Sequence, residues 1–198
     1  MMENNFVAEP CIKKLKERLK TNSCLIYLMR GQRESIPLRE AERIANRFLK
    51  ELKKISEVEK ALAAGSVRRR IKLVRNINLV VESSNAEKIL KEFVKMKFVK
   101  TVLVKDNFGA SIMTKKGVQV DLRIFEHASF GSGLLYFTGS KEHNIWMKKI
   151  AAQQGYLLNE WGLFQRGKKI GGKTEKGIYA LLGFKFVKPE NRFGENED

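Results

Sequence analysis

The sequence predicts an α+β fold, in which one compact unit with two lobes combines a mixed β-sheet, flanking helices and a smaller C-terminal α/β part. Polar and apolar residues alternate from Asn76 to Leu79, as in a half-buried strand. Two longer segments, beginning near Ser35 and Asn85, space their apolar residues as a helix does. The 198 residues are 43% hydrophobic and include no Pro/Gly-rich linker, so one good core or two small ones can form.

The N-terminal residues 1–34 contain CIKKLKERLK, a basic amphipathic helix pattern. They form either an N-terminal helical segment that caps the unit or the remnant of an upstream module, and we expect the capping role. Cys11 and Cys24 are the only cysteines, and we expect both to be reduced thiols, with a disulfide between them as the alternative. Because the chain shows neither a secretory signal pattern nor an apolar run of about 18 residues, the sequence predicts a cytoplasmic protein without a membrane partner.

A long helix is predicted to open at Ser35-Ile36-Pro37-Leu38, with Pro37 at its first position. Its inward-facing apolar residues are Ala41, Ile44, Ala45, Phe48, Leu49 and Leu52. Basic residues follow its other face, which predicts a solvated surface, with contact to a nucleic-acid backbone as the alternative.

The central stretch begins with a predicted strand over Lys60 to Val67, in which Gly65-Ser66 allows the backbone to approach a phosphate where a helix begins. A second strand follows. Asn76 and Asn78 are two residues apart on it, so their side chains share one face. A strand carrying Asp121 is expected to lie beside them.

The remaining elements follow in order. The predicted helices are 85–97, 141–152 (capped by Thr138-Gly139-Ser140) and 174–182, and the predicted strands are 99–104, 110–114, 117–125 and 156–164. Arg166 to Lys169 is predicted to form a hairpin tip. His143 is predicted to be a helix-surface or stacking residue, and no motif partner supports a catalytic role for it or for His127.

Asp121 is the one carboxylate in the apolar strand VQVDLRI. A buried acid requires a cation or a hydrogen-bond donor. It is therefore either a metal ligand and general base or the partner of Arg123, which is two residues away on the same face.

The charge balance predicts a polyanionic partner. Thirty-nine Lys and Arg against 22 Asp and Glu give a formal charge of +17, and such an excess attracts nucleic acid over long range. A merely basic protein is the alternative, and composition alone does not separate the two.

Several ordered motifs resemble one family. They are Gly65-Ser66-Val67-Arg68-Arg69, Asn76-Ile77-Asn78, Val120-Asp121-Leu122-Arg123 and Tyr136-Phe137-Thr138-Gly139-Ser140. This series is similar to the DNA polymerase X family of polymerase beta-like nucleotidyltransferases, most of all to its bacterial branch, without the nuclease domain of that branch. The resemblance implies a nucleotidyltransferase palm over 35–128 and a C-terminal nucleotide- and DNA-binding lobe over 129–198.

The resemblance also implies the roles of individual residues. Asp121 and positions 76 and 78 would be the catalytic metal ligands, with two Mg²⁺ ions expected when aspartates occupy both positions. The nucleotide-binding residues implied for a dNTP are Gly65, Ser66, Arg69, Tyr136, Phe137, Gly139, Ser140 and Asn144. The DNA-binding residues implied are Arg123, Lys148 and Trp161. The implied function is a monomeric, gap-filling repair polymerase that acts on gapped or primer-template DNA.

This sequence has Asn76 and Asn78 where the family has Asp. An amide offers one neutral oxygen, whereas Mg²⁺ prefers anionic oxygen ligands, so we predict severe loss of nucleotidyl transfer. Either the asparagines were introduced to inactivate an enzyme, the explanation we prefer because the other motifs are intact, or the chain is a natural pseudoenzyme. A non-catalytic nucleic-acid-binding protein is the alternative function, and an RNA or small-molecule nucleotidyltransferase is a third.

Overall fold

The computed structural model describes residues 34–193. The helix expected within residues 1–34 and both cysteines therefore lie outside the described residues, apart from Glu34. Within the described part, a mixed central sheet with helices and a smaller antiparallel sheet confirm the α+β prediction. None of the helices over 34–193 combines the length and the apolar composition needed to cross a bilayer.

Strands and helices are interspersed along residues 34–193. The strands are β1 (Ile36–Pro37), β2 (Lys60–Ala64), β3 (Leu73–Val74), β4 (Asn76–Glu82), β5 (Val99–Lys105), β6 (Gly109–Thr114), β7 (Gln119–Phe125), β8 (Leu157–Asn159), β9 (Gly162–Gln165) and β10 (Lys168–Gly171). The helices are α1 (Leu38–Leu52), α2 (Gly65–Arg68), α3 (Ala86–Val94), α4 (Phe130–Thr138), α5 (Lys141–Gln153) and α6 (Glu175–Leu181). A short 3₁₀ turn covers Pro189–Asn191.

The central sheet has the strand order β2-β4-β7-β6-β5. Strands β4 and β7 are parallel, and their register places Asn78 opposite Asp121. The other three pairs are antiparallel. The predicted adjacency of the two asparagines and the aspartate-bearing strand is thereby confirmed.

One face of the central sheet is apolar and is covered by helices α1 and α3. Ile77, Leu79 and Val120 are fully buried there, and burial of each such side chain contributes about 1.5–3 kcal/mol. Because side chains alternate between the faces of a strand, Asn76, Asn78 and Asp121 project from the opposite face.

A second core lies in the C-terminal part, where β10-β9-β8 form an antiparallel sheet. Met147 on α5, Leu163 on β9 and Tyr179 on α6 are fully buried in it. Helix α4 packs against the polar face of the central sheet through Phe130 and Leu134, which contact Val80 and Phe125.

Several predicted boundaries were wrong at element ends. The first strand ends at Ala64, and Val67 belongs to the helical turn α2. Pro37 precedes α1 and pairs with Leu73 in a two-residue strand. The predicted strand 156–164 is two strands, because Trp161 and its neighbour form a turn, closed by Asn159 Oδ1, which accepts from the Trp161 amide at 2.8 Å.

Helix ends are capped where polar residues allow. The side chains of Asn85, Ser140 and Thr174 accept hydrogen bonds from the backbone amides three residues later, and such caps are worth about 1 kcal/mol each. The predicted cap at Ser140 is confirmed. Helix α4 was not predicted at all.

Candidate active site

Asp121 is the centre of the polar face of the central sheet and is 8% exposed. Its Oδ2 accepts a hydrogen bond from Asn76 Nδ2 at 2.7 Å. Its Oδ1 accepts from Ser111 Oγ at 2.6 Å and from Gln119 Nε2 at 2.5 Å. The carboxylate is therefore satisfied by three protein donors. The predicted alternative, pairing with Arg123, is wrong, because Arg123 donates to Asp106 at 2.7 Å.

Two of these donors were not predicted from the sequence. Gln119 lies two residues before Asp121 on the same face of β7, so the strand period could have identified it. Ser111 lies on β6 opposite Asp121, and only the pairing register reveals that contact. Gln119 Oε1 is buried without a hydrogen-bond partner among the described residues.

The donors and acceptors around Asp121 do not fit a pair of Mg²⁺ ions. Magnesium requires oxygen ligands, preferably carboxylates, with lone pairs directed at the ion. Asn76 instead directs an N–H group at Asp121 and, more weakly, at Asn78 Oδ1 at 3.4 Å. The site has one carboxylate where the family pattern has three, and both oxygens of that carboxylate accept hydrogen bonds.

Glu82 does not replace the missing carboxylates. It lies on the same strand as Asn78, is 1% exposed, and accepts from Lys60 Nζ at 2.7 Å. His127 Nδ1 contacts its other oxygen at 2.5 Å. The burial penalty that raises the pKa of Glu82 is outweighed by these two partners, so its pKa lies below the ordinary value.

The backbone turn after β2 lies directly beside Asn78. Gly65 has a φ of 59°, and a Cβ atom there would come within 2.5 Å of Asn78 Nδ2. Only glycine combines this left-handed conformation with such a close approach. The sequence motif Gly65-Ser66 thus places the first turn of α2 against the asparagine amide.

A cleft of about 390 Å³ opens beside this turn. Its lining residues are Gly65, Ser66, Arg69, Asn78, Tyr136, Phe137, Thr138, Gly139, Lys141, Asn144, Ile145 and Lys148. Seven of the eight predicted nucleotide-binding residues are thus brought together, although their roles stay predictions.

A larger cleft of about 580 Å³ lies between α1 and the β6–β7 turn, and no predicted site residue lines it.

The walls of the cleft beside Gly65 are positively charged. Arg69 donates to the Thr138 carbonyl, and burial lowers the pKa of its guanidinium from the ordinary value, although arginine stays protonated in proteins at neutral pH. Lys148 Nζ lies 5.0 Å from the Tyr136 ring centre. Asn144 Nδ2 donates to the Tyr136 carbonyl at 2.7 Å, which fixes the aromatic wall to α5.

Arg68 holds the α2 turn to the C-terminal helices. It donates to Thr138 at 2.7 Å and to both oxygens of Glu175 at 2.8 and 2.5 Å. Glu175 also accepts from Arg192 at 2.8 Å, and Arg192 is 1% exposed. This buried triad gives Arg68 a structural role, and neither Glu175 nor Arg192 was predicted from the sequence to take part in it.

Other predicted site residues lie outside the cleft. The Ser140 hydroxyl caps α5 by accepting from the His143 amide at 3.1 Å. Trp161 packs edge-on against Phe108 and Phe125. Arg123 lies over the Phe137 ring at 5.9 Å. The DNA-binding roles of Arg123, Lys148 and Trp161 stay predictions.

His143 was predicted to lie on a helix surface or to stack, and the surface alternative is wrong. It is fully buried, and its Nε2 is 2.8 Å from the Tyr179 hydroxyl, with the two rings stacked. Burial is the main reason that its pKa falls to about 3. It contributes to the core of the C-terminal part and does not line the cleft.

Known proteins match this geometry and sequence. A family model described as the DNA polymerase beta thumb matches residues 133–193. The DNA polymerase/3'-5' exonuclease PolX of Bacillus subtilis (strain 168) is 27% identical over 165 residues, which cover 81% of this chain and 29% of that protein. DNA polymerase IV of Saccharomyces cerevisiae is 40% identical over 62 residues, 31% of this chain and 11% of that protein. The chain thus spans less than a third of these relatives.

Solved structures share the fold. Polymerase beta of Leishmania infantum in a ternary P/T complex has a TM-score of 0.73 and 25% identity, covering 81% of this chain and 77% of that one. Its ternary gap complex gives a TM-score of 0.76 at 22% identity, covering 95% of this chain and 81% of that one, a likeness of fold. With the thumb match and the relatives above, these findings support the resemblance of the chain to the DNA polymerase X family of polymerase beta-like nucleotidyltransferases.

Proposed function

We propose that this chain carries the dNTP- and DNA-binding apparatus of a minimal gap-filling DNA polymerase, and that nucleotidyl transfer is severely impaired in the chain as written. The observation that carries the proposal is the hydrogen bond from Asn76 Nδ2 to Asp121 Oδ2 at 2.7 Å. An aspartate in place of Asn76 would direct an acceptor at this point, where the asparagine directs a donor. The proposed active form therefore has aspartate at both asparagine positions.

DNA is the proposed partner. The relatives are DNA polymerases, and the Leishmania infantum protein was solved as P/T and gap complexes. A formal charge of +17 supports the same partner. We propose residues 35–128 as the palm and 129–198 as the nucleotide- and DNA-binding lobe. The monomeric state and the cytoplasmic location are proposals from the sequence alone.

Primer extension tests the proposal directly. The chain and its Asn76→Asp, Asn78→Asp double variant are each given a one-nucleotide gapped duplex, dNTPs and Mg²⁺. We expect extension by the double variant and little or none by the chain as written. The matched control is Asn107→Asp, an exposed change of the same chemistry, which should restore nothing. If the double variant adds no nucleotide, the polymerase proposal is wrong.

A non-catalytic nucleic-acid-binding protein is the second candidate. It is favoured by the three donors around Asp121, which satisfy the carboxylate without a metal. This candidate predicts binding to gapped DNA that weakens steeply with salt, and no turnover by the double variant. Incorporation of rNTPs, or modification of an acceptor other than a primer, would instead indicate an RNA or small-molecule nucleotidyltransferase.

A further inference from the structure

We infer that the cleft beside Gly65 binds a nucleoside triphosphate as the metal-free anion, so that Mg²⁺ weakens binding. The inference rests on the proposed nucleotide-binding function of the cleft and deepens it by naming the charge state of the ligand. It follows from the misfit between the residues around Asp121 and a magnesium pair.

The lining of the cleft has the charge expected for a site that binds an uncompensated polyanion. Arg69, Lys141 and Lys148 supply three positive groups, and no carboxylate is among the lining residues in the described part of the chain. A triphosphate that arrives with bound Mg²⁺ has lost much of its negative charge. Its attraction to these cations is correspondingly smaller.

Asn78 presents a hydrogen-bond donor to the position of the phosphates. Its Oδ1 accepts from Asn76 Nδ2 at 3.4 Å, which turns its own Nδ2 towards the Gly65 turn. That nitrogen lies 2.5 Å from where a Gly65 Cβ would be. A phosphate oxygen at the turn would meet an N–H group, and hydrogen bonds to charged groups are the strong ones.

Asp121 does not recruit the ion. Its Oδ2 accepts from Asn76 and its Oδ1 accepts from Ser111 and Gln119. A magnesium ion bound here would have to displace the N–H and O–H donors that point at these oxygens, and Mg²⁺ is reluctant to exchange its water for imperfect ligand geometry. The protein donors and the ion would thus compete for the oxygens of Asp121.

The direction in which Mg²⁺ changes the affinity for the nucleotide follows from the linkage between the two binding equilibria. If the free anion is the bound species, added Mg²⁺ lowers the apparent affinity, because it withdraws the anion from the binding equilibrium. In a site with aspartates at both positions the carboxylates repel the bare anion and attract the ion. Mg²⁺ then raises the affinity, so the two forms should respond in opposite directions.

Isothermal titration calorimetry with dATP tests the inference, using the full chain in EDTA and in MgCl₂ at equal ionic strength. We expect affinity in EDTA to exceed that in Mg²⁺ by roughly 5- to 150-fold, the usual range for coupled ligands. Inorganic tripolyphosphate, titrated in parallel, shows whether the phosphates alone are recognised. Equal or tighter binding in Mg²⁺ overturns the inference, as does no binding in either buffer.

Variants show whether the effect belongs to this cleft. Asn78→Asp should lower dATP affinity in EDTA by at least about 10-fold, since it replaces a donor by a negative charge, and the Asn76→Asp, Asn78→Asp double variant should in addition reverse the response to Mg²⁺. Asn78→Ala should weaken binding in EDTA without that reversal. Lys50→Ala, an exposed change on α1 outside this cleft, should alter neither. Equal losses in Lys50→Ala and Asn78→Ala would show diffuse binding and overturn the inference.

The polymerase proposal is tested by a separate experiment. It is judged by primer extension with the double variant, and that assay does not depend on how the chain as written binds dATP. Tight binding in EDTA with no extension by the double variant would leave the inference standing and reject the polymerase. If the double variant extends the primer and the chain as written binds dATP only with Mg²⁺, the polymerase proposal stands and the inference is rejected.

Discussion

Asn76 and Asp121 are joined across two parallel strands by a hydrogen bond of 2.7 Å, in which the asparagine donates and the aspartate accepts. The bond stabilises Asp121 without a cation. An aspartate in place of Asn76 would present two negatively charged oxygens to one another at this distance. The asparagine therefore makes the polar face of the sheet stable on its own, whereas a carboxylate there would depend on a bound ion.

Asn76→Asp should destabilise the protein in EDTA and be rescued by Mg²⁺. Two adjacent carboxylates repel, and Asp121 loses a donor, so the free energy of unfolding should fall by about 1–3 kcal/mol. Mg²⁺ that binds the folded variant should recover part of this loss by mass action. Urea denaturation in the two buffers measures both effects.

Asn107→Asp is the control, because it makes the same chemical change at an exposed loop position. It should change stability little in either buffer. Equal stability of Asn76→Asp and the unaltered chain in EDTA would contradict the proposed electrostatics.

The parts of the site that depend on neighbouring residues in the sequence could be predicted. The strand period placed Asn76 and Asn78 on one face, and the glycine at Gly65 indicated a close backbone approach. Contacts set by strand register could not be predicted this way. Ser111 meets Asp121 only because β6 pairs with β7, and Arg123 is paired with Asp106 across a hairpin.

Ser111→Ala should destabilise the protein more than Gln119→Leu. Ser111 gives Asp121 a buried hydrogen bond at 2.6 Å, and loss of a bond to a charged group costs about 1.5–3 kcal/mol. Gln119 gives a similar bond, but its own Oε1 is buried without a partner among residues 34–193. Replacing it by leucine removes that penalty too, so we expect a net cost below about 1.5 kcal/mol.

Urea denaturation of the two single variants at pH 7 measures the difference. A larger cost for Gln119→Leu than for Ser111→Ala would show that the Gln119 oxygen is satisfied in solution. The comparison needs no assumption about catalysis.

Gly65→Ala should abolish dATP binding and cost more stability than Gly117→Ala. Both glycines have a positive φ, 59° and 77°, so both alanines bear the left-handed strain of about 1–2 kcal/mol. A Cβ at Gly65 would also collide with Asn78 Nδ2, whereas none of the atoms described over 34–193 lies within 4 Å of one at Gly117. Equal effects of the two variants on stability and binding would remove the argument that Asn78 abuts the turn.

Helix α4 shows why part of the fold was not predictable. Its opening residues Phe130-Gly131-Ser132-Gly133 have low helix propensity because of the two glycines. Packing requires those glycines: a Cβ at Gly131 would lie 2.3 Å from the Thr174 backbone, and one at Gly133 would lie 2.4 Å from the Phe125 ring. Tertiary contacts override local propensity here, and a single sequence does not display them.

Glu175→Gln should destabilise the protein at neutral pH and flatten its acid response. Burial raises the pKa of Glu175, but hydrogen bonds and charges from Arg68 and Arg192 outweigh it, so its pKa lies below 4.5. The stability it contributes is present above pH 4.5 and is lost as the pH falls through the folded-state pKa. Breaking such a buried triad costs about 3–5 kcal/mol.

Unfolding free energies at pH 7 and between pH 5 and 3 measure both effects for Glu175→Gln. The control is Glu87→Gln, which removes an exposed carboxylate paired with Lys91 and should change little. An undiminished slope below pH 5 in Glu175→Gln would show that other groups govern acid unfolding.

His143 should make the protein less stable as the pH falls from 6.5 to 5. Burial, and then the charge of Arg192, hold its pKa at about 3 in the folded chain against 6.5 when unfolded. The unfolded chain therefore takes up a proton that the folded chain excludes, and stability falls by up to about 1.4 kcal/mol per pH unit.

Urea denaturation between pH 6.5 and 5, where Glu175 remains ionised, measures how the free energy of unfolding depends on pH. His143→Gln should abolish the part of that dependence that comes from His143. Tyr179→Phe, which removes the hydroxyl partner but keeps the burial, should retain it. Identical slopes in His143→Gln and the unaltered chain would show that His143 is protonated inside the fold.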